Sequence, residues 1–141
     1  MAVSSAARSR ETPRYDACDV VVVPFPYADR LKRDPEKWSP VFGRDYASAK
    51  GQKRRPALVV SNRKLATHGV VWVAMITSAD NEAWSSDVAI ADLARAGLPA
   101  PSVVRPAKLA CIDPQRIDRR IGTLDKAAAR MVGQRLRGFL G

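Results

Sequence analysis

Lys53-Arg54-Arg55-Pro56-Ala57-Leu58-Val59-Val60-Ser61-Asn62 and, after a short gap, Val70-Val71-Trp72-Val73-Ala74-Met75-Ile76-Thr77-Ser78 decide how this chain is read. From Pro56 to Asn62 and from Val70 to Ser78 the sequence runs continuously apolar between turn residues, and the enrichment in β-branched side chains favours buried strands over short helices. Thr67-His68-Gly69 marks a turn across which the two strands are expected to pair. Upstream, Asp19 to Phe25 is a β-branched run closed by Pro24 and Pro26, which suits a strand running out to a barrel rim, because proline cannot donate to a ladder. Downstream, Asp87 to Ile90 makes a short strand, Asp92 caps a brief helical turn that Gly97 and Pro99 end, and Ser102 to Ile112 and Arg116 to Ile121 supply further strands. Asp125 caps a last helix whose apolar positions Ala128, Met131, Val132, Leu136 and Phe139 follow the helical period, with Arg130 and Arg137 turned to water. Short strands with Gly/Pro turns and one terminal helix predict a mainly β fold, a small partly open barrel closed by a helix. Trp72, inside a continuous apolar run, is expected in the core; Trp84, in a polar stretch, has no assigned role.

A chain of 141 residues holds one domain with a real hydrophobic core. Residues 1–15 read as a disordered basic tail without the apolar core of a secretory signal, and 16–141 as one barrel domain in which 26–54 is a long basic loop. Against 14 acidic residues stand 24 lysines and arginines, a formal charge of +10 that attracts polyanions, nucleic acid first among them. No apolar stretch approaches the roughly 20 residues that span a bilayer, so the expectation is a soluble cytoplasmic protein without a membrane partner.

The inventory of reactive side chains is narrow. Cys18 and Cys111 each lie beside apolar residues and are expected to be small buried side chains rather than a disulfide. The one histidine, His68, sits in a turn with no Cys or His at zinc spacing around it, so neither a zinc site nor a Cys-His or Ser-His-Asp set can be assembled. Chemistry here falls to Arg, Lys, Thr, Ser, Tyr or carboxylates.

The string from Lys53 to Ser61, about thirty residues after Asp19 to Pro26, resembles the opening of the MazF/PemK toxin family. Met75-Ile76-Thr77-Ser78 is similar to that family's third-strand ending, Ala96-Gly97-Leu98 and Pro101 to Leu109 to its later segment, and Ile121-Gly122-Thr123-Leu124 to the approach to its last helix. The resemblance runs from Asp19 to the C-terminus, with the long loop matching poorly. It implies an SH3-like barrel that forms a homodimer, needs no cofactor, cleaves single-stranded RNA such as mRNA to a 2′,3′-cyclic phosphate and a free 5′-hydroxyl, and is held in check by a cognate antitoxin. It also implies the catalytic pair: the arginine before the proline that begins the second strand, here Arg55, and a Thr or Ser ending the third, here Thr77. Some members carry a carboxylate five residues before that arginine, where this chain has Lys50. Either Asp29, Asp45 or another loop acid takes its place, or the enzyme works without a carboxylate base and more slowly.

The chemistry agrees with those residue types. Cleavage through the 2′-hydroxyl uses a nucleophile already on the substrate, leaving the protein to align the backbone and stabilise charge on the phosphorane. Arginine offers a planar fork for two charge-assisted bonds to phosphate oxygens, and Pro56 keeps Arg55 out of helical geometry. Thr77 has a hydroxyl to donate to a second oxygen, with Ser78 beside it as an alternative donor. Lys53 and Arg54 are candidates for tracking the RNA backbone or are a solvated charge run; Lys108 and Arg105 resemble family positions near the groove or the dimer interface. Tyr27, Trp38, Phe42 and Tyr46 either stack unpaired bases or anchor the loop. The competing reading is a binding protein on the same fold, for which the related gyrase poison CcdB is the precedent.

Overall fold

Six strands and three short or medium helices account for the residues that the computed structural model describes, 15–24 and 54–141. Residues 1–14 of the N-terminal tail, Lys50, Lys53, the loop acids Asp29 and Asp45 and the loop aromatics Tyr27, Trp38, Phe42 and Tyr46 lie outside the described residues, whereas Tyr15, the tail's last residue, packs partly buried against the sheet. In chain order the elements are β1 (Asp19–Pro24), β2 (Arg54–Val59), α1 (Arg63–Ala66), β3 (Val71–Ser78), β4 (Val88–Ala89), α2 (Leu93–Ala96), β5 (Ser102–Ile112), a 3₁₀ turn (Pro114–Arg116), β6 (Arg119–Thr123) and α3 (Lys126–Phe139). The strands form one antiparallel sheet in the order β4-β5-β3-β2-β1-β6, curled into a half-barrel with α3 against it.

Both faces of the central strands are buried, which is why their sequences run apolar without alternation. One face carries Val20, Leu58, Ala74, Ile76, Val88 and Val104, packed with Ala96 and Leu98 around α2 and with Ala128 and Val132 of α3. The other carries Val21, Val23, Ala57, Val59, Val73, Met75 and Ala110 with Ile117. Successive residues of a strand therefore enter different cores, and parity along β2 and β3 decides which side chains meet.

Sequence expectation and structure differ in several places. Asn62 does not end a strand; its side chain accepts from the Lys64 N–H at 2.9 Å and caps α1, so the β2–β3 connection is a helical turn rather than a bare triplet. The sixth strand starts three residues late because Asp113, accepting from the Gln115 N–H at 2.9 Å, caps a 3₁₀ turn begun by Pro114. Trp72 is not in the core: 45% exposed, it pairs across the ladder with exposed Cys111, and both lie on the helix-bearing face beyond what α3 covers. Cys111 is thus not the buried side chain expected, whereas Cys18 is half-buried and both thiols are free. Met131 and Phe139 are exposed as well; Ala128 and Val132, with Ala129 and Leu136, make the packing stripe, Met131 lies on its flank and Phe139 in the last turn. His68 is exposed, as its turn position implied.

The junction of α2 with β6 is unusually close. Gly97 ends α2 in the left-handed conformation at φ 75°, and a Cβ on it would lie 2.1 Å from the Ile121 carbonyl oxygen. A Cβ on Gly122 would lie 2.4 Å from the Ala96 carbonyl carbon, so the two glycines let the backbones touch.

Candidate functional site

Arg55, Ala57 and Val59 alternate onto one face of β2, and Val73, Met75 and Thr77 onto the same face of β3. The ladder pairs Val59 with Val73 and Ala57 with Met75. The β2–β3 ladder stops there; its register, continued by two residues on each strand, would bring Arg55 opposite Thr77, and Val23 of β1 pairs with Arg55 while Val103 of β5 pairs with Thr77. The two residues singled out by the family resemblance thus lie on the same face of neighbouring strands, each two residues beyond the last ladder pair, Ala57 with Met75. Arg55 is half-buried and Thr77 only 5% exposed.

Parity sends their neighbours the other way. Arg54, exposed on the opposite face, pairs with Asp118 at 3.1 Å, and Ser78 is likewise on the far side from Thr77. Ser78 instead builds the following loop: its Oγ accepts from the Asp80 N–H at 3.0 Å and its carbonyl from the Asn81 N–H at 3.1 Å. Neither residue joins the Arg55–Thr77 face.

Other residues do join it. Asn81 Nδ2 donates to Thr77 Oγ1 at 2.6 Å. Arg105, across the ladder from Met75, is 2% exposed; its Nε donates to Asp87 Oδ1 at 2.9 Å, and its Nη2 to Asp87 Oδ2 at 2.9 Å and to the Glu82 carbonyl at 2.8 Å. The Trp84 ring lies against this guanidinium, 4.4 Å from Cζ to the centroid, and the Lys108 ammonium lies 5.6 Å from the same ring. Lys108 is itself buried, in a bulge: β3 pairs Met75 with Arg105 and then Ala74 with Leu109, leaving Pro106, Ala107 and Lys108 outside the ladder where proline has no N–H to give. Trp84 thereby has its role, as the cover of a buried arginine. No spacing singles out Asn81 or pairs Arg105 with Asp87; the one available signal was a tryptophan in a polar stretch that begins three residues after Thr77.

Among the described residues no group of three or more His, Cys, Asp or Glu stands close enough to hold a metal, and no helix is long and apolar enough to cross a membrane. On the far side of β1, burial pushes the Cys18 thiol up from its ordinary range, with Asp19 and Asp16 adding and Lys126 opposing.

The fold has solved counterparts. A Mycobacterium tuberculosis toxin, MazF-mt6, is 27% identical, with 62% of this chain and 87% of that one covered at a TM-score of 0.53. A MazE–MazF complex from Deinococcus radiodurans aligns over 91% of this chain and 96% of its own at 20% identity and a TM-score of 0.60. An endoribonuclease in complex with its cognate antitoxin, from a mycobacterial species, aligns over 92% and 95% at 15% identity and 0.58. The last two are likenesses of fold. No curated protein matches. The family described as PemK-like, MazF-like toxin of type II toxin-antitoxin systems matches residues 38–140, and with the half-barrel, the terminal helix and the Arg55–Thr77 face this chain belongs to that family of toxins.

Proposed function

We propose that this toxin is a metal-independent endoribonuclease that cleaves single-stranded RNA through the substrate's own 2′-hydroxyl. The observation that supports the reading is that Arg55 shares a face of β2 with Ala57 and Thr77 shares the same face of neighbouring β3 with Met75, each two residues beyond the Ala57–Met75 pair. Arg55 supplies a guanidinium for the non-bridging phosphate oxygens, and Pro56 holds its backbone extended so that the fork needs little reorganisation as charge builds on the phosphorane. Thr77 supplies one hydroxyl proton to a second oxygen. The 2′-hydroxyl gives its proton to water as its oxygen bonds to phosphorus, the bond from phosphorus to the 5′-oxygen breaks, that oxygen takes a proton from water, and the products are a 2′,3′-cyclic phosphate and a 5′-hydroxyl. With a charge of +10, encounter with RNA is electrostatically favoured, and affinity falls as salt rises.

The reading extends to assembly. Residues 16–141 act as one barrel domain, two copies form a symmetric dimer, Lys53 and Lys108 contribute RNA contacts beside the catalytic pair, Arg54 and Ser78 meet RNA only where it passes over the rim to the opposite face, and a cognate antitoxin covers the site in the cytoplasm until it is removed. The mycobacterial endoribonuclease solved with its cognate antitoxin supports the last step by analogy of fold. Incubating the pure protein with a long single-stranded transcript in EDTA and mapping the ends tests the activity directly: cyclic-phosphate ends at a short recurring sequence are expected. Intact RNA together with tight binding to RNA or to a topoisomerase would replace the nuclease with a binding protein.

A further inference from the structure

The segment between β3 and β4 is tied down at both ends. At its start, the Ala79 N–H donates to the Pro101 carbonyl at 3.0 Å, and Ser78 receives the Asp80 and Asn81 N–H groups. At its end, one buried guanidinium, that of Arg105, holds Glu82 and Asp87 and lies against Trp84, while the Trp84 N–H donates to Asp87 Oδ2 at 2.9 Å. Asn81 lies between these anchors, its backbone set by Ser78 and its amide delivered to Thr77. Since Thr77 is 5% exposed, bulk water has little access with which to compete for its hydroxyl.

We propose that Asn81 is a positioning residue that fixes the sense of the Thr77 hydroxyl for phosphodiester cleavage; the inference rests on the nuclease reading above. A threonine hydroxyl both donates and accepts, whereas the oxygens of a phosphorane only accept. Thr77 helps the transition state when its proton points at phosphate and opposes it when a lone pair does. The Asn81 amide N–H occupies an acceptor site on Oγ1, so the hydroxyl proton is directed away from the loop and toward the face that Arg55 shares. The same donated bond polarises the O–H group and makes it a better donor. A carboxylate at position 81 would do the reverse, accepting the Thr77 proton and adding negative charge beside the phosphate.

The test uses the full-length protein and a short single-stranded RNA spanning a cleavage site mapped with wild type. Asn81→Ala is expected to lower kcat roughly three- to tenfold, about what one neutral hydrogen bond contributes, and to leave KM unchanged. Asn81→Asp is expected to lose more than Asn81→Ala. In a Thr77→Ala background, Asn81→Ala is expected to cost nothing further, because the group it acts through is gone. Asn81 is exposed and its backbone bond to Ser78 survives substitution, so unchanged circular dichroism and melting accompany these effects. A full Asn81→Ala loss in the Thr77→Ala background, or a raised KM with kcat intact, overturns the inference by placing Asn81 on the RNA itself. Wild type that leaves every RNA intact overturns the nuclease reading and this one with it, whereas active wild type with an equally active Asn81→Ala overturns this one alone.

Discussion

Asp87→Ala tests the view that one buried ion pair organises the end of the sheet. The Arg105 and Asp87 side chains are 3% and 9% exposed, and the carboxylate receives two guanidinium bonds of 2.9 Å. Taking the carboxylate away leaves Arg105 a buried cation with the Glu82 carbonyl and the Trp84 ring as its remaining partners. Breaking a buried pair from one side typically costs ~3–5 kcal/mol. Against a typical total stability of ~5–15 kcal/mol, that is a large share. For a chain of this length, at roughly 3–4 °C per kcal/mol, melting should fall by ~10–20 °C. An internal control exists in the Arg54–Asp118 pair, 3.1 Å long but 57% and 33% exposed, where Asp118→Ala should cost no more than ~1 kcal/mol. Replacing both partners, Arg105→Met with Asp87→Leu, should recover most of the loss because no charge is then stranded. The assay is urea and thermal unfolding followed by circular dichroism. If Asp87→Ala costs no more than Asp118→Ala, the guanidinium is hydrated and the pair does not hold the loop.

Arg55→Ala should abolish RNA cleavage with the melting temperature nearly kept, since the residue is half-buried at the sheet's end, and Thr77→Ala should slow cleavage by less; both are read in the end-mapping assay. Gly122→Ala should destabilise by ~1–3 kcal/mol, its Cβ falling 2.4 Å from the Ala96 carbonyl carbon, whereas Gly133→Ala on α3, where the nearest atom is Arg137 Nη1 at 3.7 Å, should stabilise by up to ~1 kcal/mol. Stability should decline as pH rises past the ordinary thiol value of 9.0, because the unfolded chain then releases the Cys18 proton that the folded chain still holds; Cys18→Ser should flatten the fall in melting temperature between pH 9 and 10. Burial raises Tyr15 too, with Arg120 opposing and Asp19 adding, and extends the same decline above its ordinary 10.0.

Expectations that depend on neighbours within a turn or a strand's width survive contact with the structure. Asp92 accepts from the Arg95 N–H at 3.1 Å and Asp125 from the Ala128 N–H at 3.1 Å, as cap residues should, and β5 spans Ser102–Ile112 as its run of residues implied. The β-branched stretches became strands because chain stiffness and burial are properties of the stretch itself. Pro56 after Arg55 and the pairing of the second strand with the third were likewise open to reading, because the apolar runs start and stop around one turn, whereas Arg55 and Thr77 were singled out together only by the family resemblance.

Exposure was harder. Trp72 has the same neighbours in sequence as Val73, yet one is 45% exposed and the other 0%, because the sheet has two faces and the helix layer covers only part of one. Arg54 and Ser78 look like extensions of Arg55 and Thr77 along the chain, and strand pleating sends them to the opposite side. Asn81 against Thr77 and Asp87 against Arg105 needed the folded loop. Local torsional preference and apolar patterning are written into consecutive residues, so order, caps and strand pairing could be read in advance. Which charge is buried, and which amide meets which hydroxyl, depends on distances between segments that only close packing brings to within hydrogen-bonding range.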